Sequence, residues 1–159
     1  VLGNHDTLVV GEMLEAEGIR VLMNEGVRAA LRGETVWLAG VDDPHLHRTA
    51  DLAAALKGRP EGLFAILLAH SPECVADAAR AGVDLYLCGH THGGQIRLPL
   101  LGGVHTNVRS GRRQALGVWR EGAMRGHTSA GLGTTDMPVR FLCPPEAALI
   151  TLRAAPGAG

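Results

Sequence analysis

Cysteine is scarce. Cys74, Cys88 and Cys143 are odd in number, far apart and without a Cys-x-x-Cys pair. This excludes a disulfide framework and fits reduced, buried thiols. Aromatic residues make up only 3% of the chain, too few for the stacking platforms of single-strand nucleic-acid binders. Neither sign of charge is in excess, with a formal net charge of −1, so nothing points to a polyanionic partner. Among the basic residues only Arg109, Arg112 and Arg113 gather, and this cluster reads as a solvated loop. The longest unbroken apolar run, Leu63 to Ala69, falls far short of a membrane span, and the residues carry no signal-peptide pattern. There is no internal repeat and no linker. Apolar residues reach 46%, enough for one folded domain over residues 1–152, with a flexible tail at 153–159.

What the chain does have is Leu87-Cys88-Gly89-His90-Thr91-His92-Gly93-Gly94-Gln95. It follows the apolar stretch Val83 to Cys88, which reads as a buried strand. Two histidines at i and i+2 leave that strand, and in extended backbone both imidazoles would project to one side. Converging imidazoles suit a divalent metal; the plain alternative is a polar turn facing water.

In chain order, Val1 to Gly3 reads as the tail of a strand, ending in Asn4-His5-Asp6. A helix is expected from Leu8 to Gly18, and a short strand from Ile19 to Met23 closed by a turn at Asn24-Glu25-Gly26. Val27–Leu31 and Thr35–Ala39 flank Arg32-Gly33-Glu34, which suggests a hairpin. Its second arm runs into Asp42-Asp43-Pro44-His45. Asp51 to Leu56 reads as a short helix. Leu63–Ala69 has no polar alternation, as in a strand covered on both faces. It ends in His70, and Ser71-Pro72-Glu73 then carries the cap, first-position proline and first-turn acid of a helix start. With the strand at Val83–Cys88 this makes a parallel strand–helix–strand crossover. Short strands are expected at Ile96–Val108, Ala115–Trp119, Val139–Leu142 and Ala147–Leu152, with His127–Gly133 as a loop.

Functional groups gather at the carboxyl ends of strands in open α/β sheets. Here three strand ends carry histidine (His5, His70, and the pair His90 and His92), and a fourth carries Asp42 and Asp43. Packing alone explains one such histidine more easily than three, so a metal or phosphate site is expected at this edge.

The motifs Gly3-Asn4-His5-Asp6, His70 after its apolar strand, and Gly89-His90-Thr91-His92 resemble those of the calcineurin-like metallophosphoesterases. Three further stretches are similar to a bacterial phosphodiesterase-like branch of that family: Gly40 to Pro44, His90 to Pro99, and Gly131 to Thr134 with Pro138 to Phe141. The resemblance covers Val1 to about Leu152. It implies an α/β metallophosphoesterase-like αββα sandwich with two mixed β-sheets, and a phosphoesterase acting on phosphodiester or pyrophosphate bonds through a water activated by two divalent ions (Mn, Fe or Zn). By residue it implies Asn4, His70 and His90 on one metal and His92 on the other. His5 would stabilise the phosphate or protonate the leaving oxygen, with Asp6 orienting its ring. The implied substrate is a phosphate-ester small molecule or a lipid-linked one. The implied location is the cytoplasm, with membrane association through a segment preceding Val1.

The family also carries an Asp-x-His and a Gly-Asp motif upstream of Gly-Asn-His-Asp, and neither is in this sequence. The remaining ligands are neutral and do not offset two divalent charges. The chain starts at Val1 inside an apolar run, so it reads as an N-terminally truncated, C-terminal part of a longer enzyme, incomplete as supplied. Two other readings stay open: a single-zinc hydrolase held by His70, His90 and His92, and an inactive binding module of the same fold. The other candidates take plain roles. Asp42 and Asp43 are read as a strand-end turn and Arg97 as a solvated strand residue. His45, His47, His105 and His127 are surface or loop histidines, Trp37 and Trp119 are core, and Ser71 is a helix cap.

Overall fold

The computed structural model describes residues 1–31, 33–109 and 111–153. Its helices and strands are, in order, α1 (Leu8–Ala16), β1 (Glu25–Leu31), β2 (Glu34–Gly40), α2 (Leu52–Leu56), β3 (Ala65–Leu68), α3 (Val75–Arg80), β4 (Leu85–Cys88), β5 (Arg97–Leu98), β6 (Gly102–Gly103), β7 (Gly117–Glu121) and β8 (Met124–Thr128). Among the described residues there are two sheets: a mixed one in the order β1-β2-β3-β4-β8-β7, and the antiparallel pair β5-β6. This is the expected α/β class.

β2, β3, β4 and β8 are parallel neighbours, with antiparallel β1 and β7 on the two edges. The parallel strands owe their place to two-sided burial. On one face Trp37, Ala39, Leu67, Tyr86 and Met124 pack with Ala55 of α2 and Val75 and Ala78 of α3. On the other face Val36, Ile66 and Leu85 cluster with Leu38, Leu68 and Leu87. Trp37 and Trp119 are core residues, as expected. Each indole N–H is satisfied inside, on the Ala55 carbonyl at 3.1 Å and the Thr128 hydroxyl at 2.9 Å. Buried indoles need such partners.

The hairpin and the crossover β3–α3–β4 form where the sequence places them; Arg32 of the hairpin turn lies outside the described residues. Asp51 caps α2 by accepting from the Ala54 N–H at 2.9 Å. Ser71 departs from expectation, because its side chain makes no cap hydrogen bond. Its carbonyl instead accepts from the Tyr86 hydroxyl at 2.8 Å, and a 3₁₀ turn at Pro72–Cys74 leads into α3.

Other expectations are corrected. Residues 1–3 and 19–23 are in no strand; Val21 and Leu22 are buried, but the first ladder begins at Glu25. β8 was expected as connection and loop. Its alternation of buried Met124, Gly126 and Thr128 with the more open Arg125 and His127 is that of a strand. Neither 139–142 nor 147–152 forms a strand. Only an isolated bridge joins Phe141 to Ile96, and Leu142 and Leu149 are exposed, with no ladder to hold them. Of the tail at 153–159, residues 154–159 lie outside the described residues.

Candidate metal centre

Parallel packing brings the carboxyl ends of β2, β3 and β4 to one edge. β3 delivers His70 two residues past its end, and β4 delivers His90 likewise. Asn4 comes from the opening loop, which Asp6 closes: its carboxylate accepts from the Gly3 N–H at 2.7 Å, and its own N–H bonds the Gly3 carbonyl at 3.0 Å. Gly3 lies flat against the His70 ring, where a Cβ would fall 2.7 Å from Nδ1 and Cε1. A side chain at position 3 would therefore push the loop off the site.

Three donors meet there. His70 Nε2 lies 2.7 Å from Asn4 Oδ1 and 3.0 Å from His90 Nδ1. His90 Nε2–H donates to the Asn107 carbonyl at 3.1 Å, which leaves the Nδ1 lone pair facing His70. A single proton on His70 Nε2 would have to serve both the amide oxygen and that lone pair. With the proton on His70 Nδ1 instead, an amide oxygen and two imidazole nitrogens offer lone pairs to one point. Burial lowers His70 to about 4, helped by the neighbouring His90 and opposed by Asp43 and Asp6. Burial also holds His90 below its ordinary value. Both rings are thus neutral near pH 7, the form that ligates metal.

These residues fit one divalent cation with open positions. Among the described residues no three His, Cys, Asp or Glu side chains are placed to hold a metal ion, so the first position depends on the Asn4 amide oxygen beside His70 and His90, and no such set marks a second. His92 Nδ1 faces the Gly133 carbonyl at 3.3 Å, which leaves Nε2 for another partner. The same-side argument for His90 and His92 is corrected by the backbone. Both are left-handed, with φ of 69° and 49°, a costly conformation for non-glycine residues that clusters at functional sites. Arg140 holds this loop by donating to the His92 carbonyl at 3.3 Å and to the Ala130 carbonyl at 2.7 Å. The Gln95 amide adds a bond to the Thr135 carbonyl at 2.9 Å. Arg97 joins them through the Gly93 carbonyl at 3.0 Å, so it braces the loop and is not simply solvated. His5, next to Asn4 in the chain, is exposed. The Asp6 carboxylate accepts from the Gly3 N–H and makes no hydrogen bond with the His5 ring.

His45, read as a surface histidine, belongs to the cluster. Its ring packs against that of His90 at a tilt of 45°, centroids 4.2 Å apart, and its Nδ1 lies 2.7 Å from the Glu73 carboxylate. Burial would raise Glu73, but the Ser71 hydroxyl, His45 and the Arg109 N–H around it hold it below the usual range. Asp43 builds the turn beneath. It is 1% exposed and accepts from the N–H groups of His45, Leu46 and His47 at 3.0, 2.7 and 2.7 Å. Burial would raise it too, but those three donors and His70 keep it low. Sequence reasoning missed both His45 and Glu73: His45 lies five residues past the end of β2, beyond the Asp42-Asp43-Pro44 turn, and no local pattern pairs it with Glu73. His127, also expected to stand alone, meets Glu146 at 3.0 Å.

The chain resembles several curated proteins. It is 35% identical to the uncharacterized metallophosphoesterase YkuE of Bacillus subtilis, over 96% of this chain and 55% of that protein. It is 32% identical to the phosphodiesterase YaeI of Escherichia coli, over 94% of this chain and 56% of that one. It is also 32% identical to an uncharacterized metallophosphoesterase of Aquifex aeolicus, over 96% and 59%. The chain thus spans between half and two thirds of the length of these relatives. No family model matches the chain, and no solved structure matches it.

Proposed function

Because this chain belongs to the calcineurin-like metallophosphoesterase family, we propose that the full-length protein hydrolyses phosphodiester or pyrophosphate bonds with the help of two divalent cations. The observation that carries this reading is the meeting of Asn4 Oδ1, His70 Nε2 and His90 Nδ1 at one point on the carboxyl edge of the sheet. Divalent ions held there supply Lewis acidity and a water of lowered pKa for in-line attack on phosphorus.

The chain's own residues do the rest. Asn4, His70 and His90 hold one cation, and His92, through its free Nε2, contributes to a second. The Asn107 carbonyl fixes the tautomer of His90, as outer partners of metal-bound histidines do. His5, exposed on the loop closed by Asp6, gives its proton to the departing oxygen. The substrate is a phosphate-ester small molecule or a lipid-linked phosphate. No helix of the described residues is long and apolar enough to cross a membrane; any membrane contact of the full-length protein is part of this proposal.

The test is hydrolysis of bis(4-nitrophenyl) phosphate by the full-length protein with added Mn²⁺. Turnover is expected to need the metal and to stop with a chelator. For His5→Ala the kcat loss should be about tenfold or less on this good leaving group and about a hundredfold on an alkyl ester, which needs the proton more. Turnover without metal, or equal losses on both leaving groups, would contradict the assignment.

A further inference from the structure

His45 and Glu73 have no part in the reaction set out above, yet both are firmly built in. The His45 side chain is 12% exposed and that of Glu73 9%. His45 is tied at its backbone and at its ring. Its N–H donates to the Asp43 carboxylate at 3.0 Å, and its carbonyl accepts from the Arg109 guanidinium at 3.1 Å. Its Nδ1–H donates to Glu73 Oε1 at 2.7 Å. A ring ordered this far has given up the rotamer freedom that a loop histidine facing water keeps.

What the ring does is shown by its face, which packs against the His90 ring with centroids 4.2 Å apart and a tilt of 45°. Both nitrogens of His90 are already engaged. Nδ1 faces His70 Nε2 at the candidate metal point, and Nε2–H donates to the Asn107 carbonyl. Neither is left for a carboxylate of the kind that commonly orients a metal-bound histidine. The face of the ring is what remains for holding its plane. Glu73 has a second tie, because it sits in the 3₁₀ turn three residues after His70. The chain itself therefore fixes Glu73 relative to the other imidazole. Contacts run from His70 through Glu73 and His45 to His90, and back to His70 across the candidate metal point.

We propose that Glu73 and His45 are positioning residues for the metal centre: Glu73 anchors the His45 ring, and that ring holds His90 at the separation from His70 that one divalent cation requires. The inference rests on the metal-centre reading above and adds to it two residues that act through His90 and not on the metal. Residues that orient a metal ligand typically carry about 10- to 100-fold in metal affinity. His45 is then a wedge against a ligand, and Glu73 is what keeps the wedge in place.

The experiment measures Mn²⁺ affinity of the full-length protein by competition with a chelator, and records the visible absorption of its Co²⁺-loaded form. His45→Asn keeps an N–H near the place of Nδ1 but removes the ring face. It is expected to weaken Mn²⁺ binding about tenfold or more and to shift the Co²⁺ bands. His45→Phe combined with Glu73→Gln keeps a ring against His90 without leaving a buried carboxylate unpaired, and should bind better than His45→Asn. Glu73→Gln alone, which keeps an acceptor for Nδ1–H, should weaken binding severalfold. Unchanged affinity and Co²⁺ bands in His45→Asn would overturn the proposal. So would equal losses in His45→Asn and the double variant, since the ring face would then not matter. Circular dichroism checks each fold; if His45→Asn does not fold, Glu73→Gln decides, and unchanged affinity there overturns the proposal. His90→Ala tests the parent reading separately. If it too leaves metal binding unchanged, the metal centre itself is wrong; if it alone removes metal, only the positioning role is.

Discussion

Replacing Asp43 by alanine tests how the turn carrying His45 is held. The carboxylate is 1% exposed and receives three backbone N–H groups, from His45, Leu46 and His47. A hydrogen bond to a charged group contributes about 1.5–3 kcal/mol, and an orphaned buried donor costs about as much. Water can reach part of this turn, because Leu46 is 58% exposed, so the three bonds do not add in full. Asp43→Ala should therefore lose about 2–4 kcal/mol of stability, and Asp43→Asn, which keeps one acceptor oxygen, about half as much. The assay is urea denaturation at pH 7, followed by Trp fluorescence, with a chelator present. A loss below about 1 kcal/mol for Asp43→Ala, typical of an ordinary surface change, would refute the turn as the anchor of His45.

Acid should weaken the metal-free protein below the ordinary histidine pKa. His70 sits at about 4 when folded and 6.5 as a free side chain, so the unfolded chain takes up the proton first. The contribution of the neutral ring is present above pH 6.5 and lost as pH falls through 4, about 2 kcal/mol after allowance for partial exposure. Urea midpoints between pH 7 and pH 4 measure it; a slope unaltered by His70→Phe would count against it. Gly126→Ala should destabilise by about 1–3 kcal/mol through overpacking, because the new Cβ would run into the Trp119 indole. That ring is pinned on Thr128, and an unchanged melting temperature would mean that it yields. Cys88 and Cys74 should resist thiol reagents in the native state, since burial pushes them up to about 12 and about 11. Rapid labelling at pH 7 would contradict that burial.

Legibility in the sequence followed the strength of local signals. β3–α3–β4 could be read because an unbroken apolar run, Pro72 at a helix start, and a second apolar run all agree. The hairpin was equally plain. β8 was missed because Met-Arg-Gly-His-Thr is short and polar, and its strand character comes from its neighbours β4 and β7. The opposite error, strands at 139–142 and 147–152, arose from apolar residues that find no ladder. At the site, His70 and His90 stood out because each follows a strand end, whereas Asn4 was named only through the resemblance of Gly3-Asn4-His5-Asp6, since residues 1–3 form no strand. His45 and Glu73 did not stand out: they are 28 residues apart, and only the shared sheet edge makes them partners. The left-handed backbone at His90 and His92 is a property of the closed loop, held by Arg140 and by the bond of the Gln95 amide to the Thr135 carbonyl, both joining segments at least 40 residues apart, and no local pattern announces it.

The most direct test of the central claim is metal content. The full-length protein and its His90→Ala variant would be loaded with Mn²⁺, dialysed, and analysed by mass spectrometry, with circular dichroism to confirm folding. The account predicts about two ions per chain in the first and one or fewer in the second, as for two-metal hydrolytic centres. Equal metal content in the two proteins, or none in either, would contradict the convergence of Asn4, His70 and His90 as a metal centre.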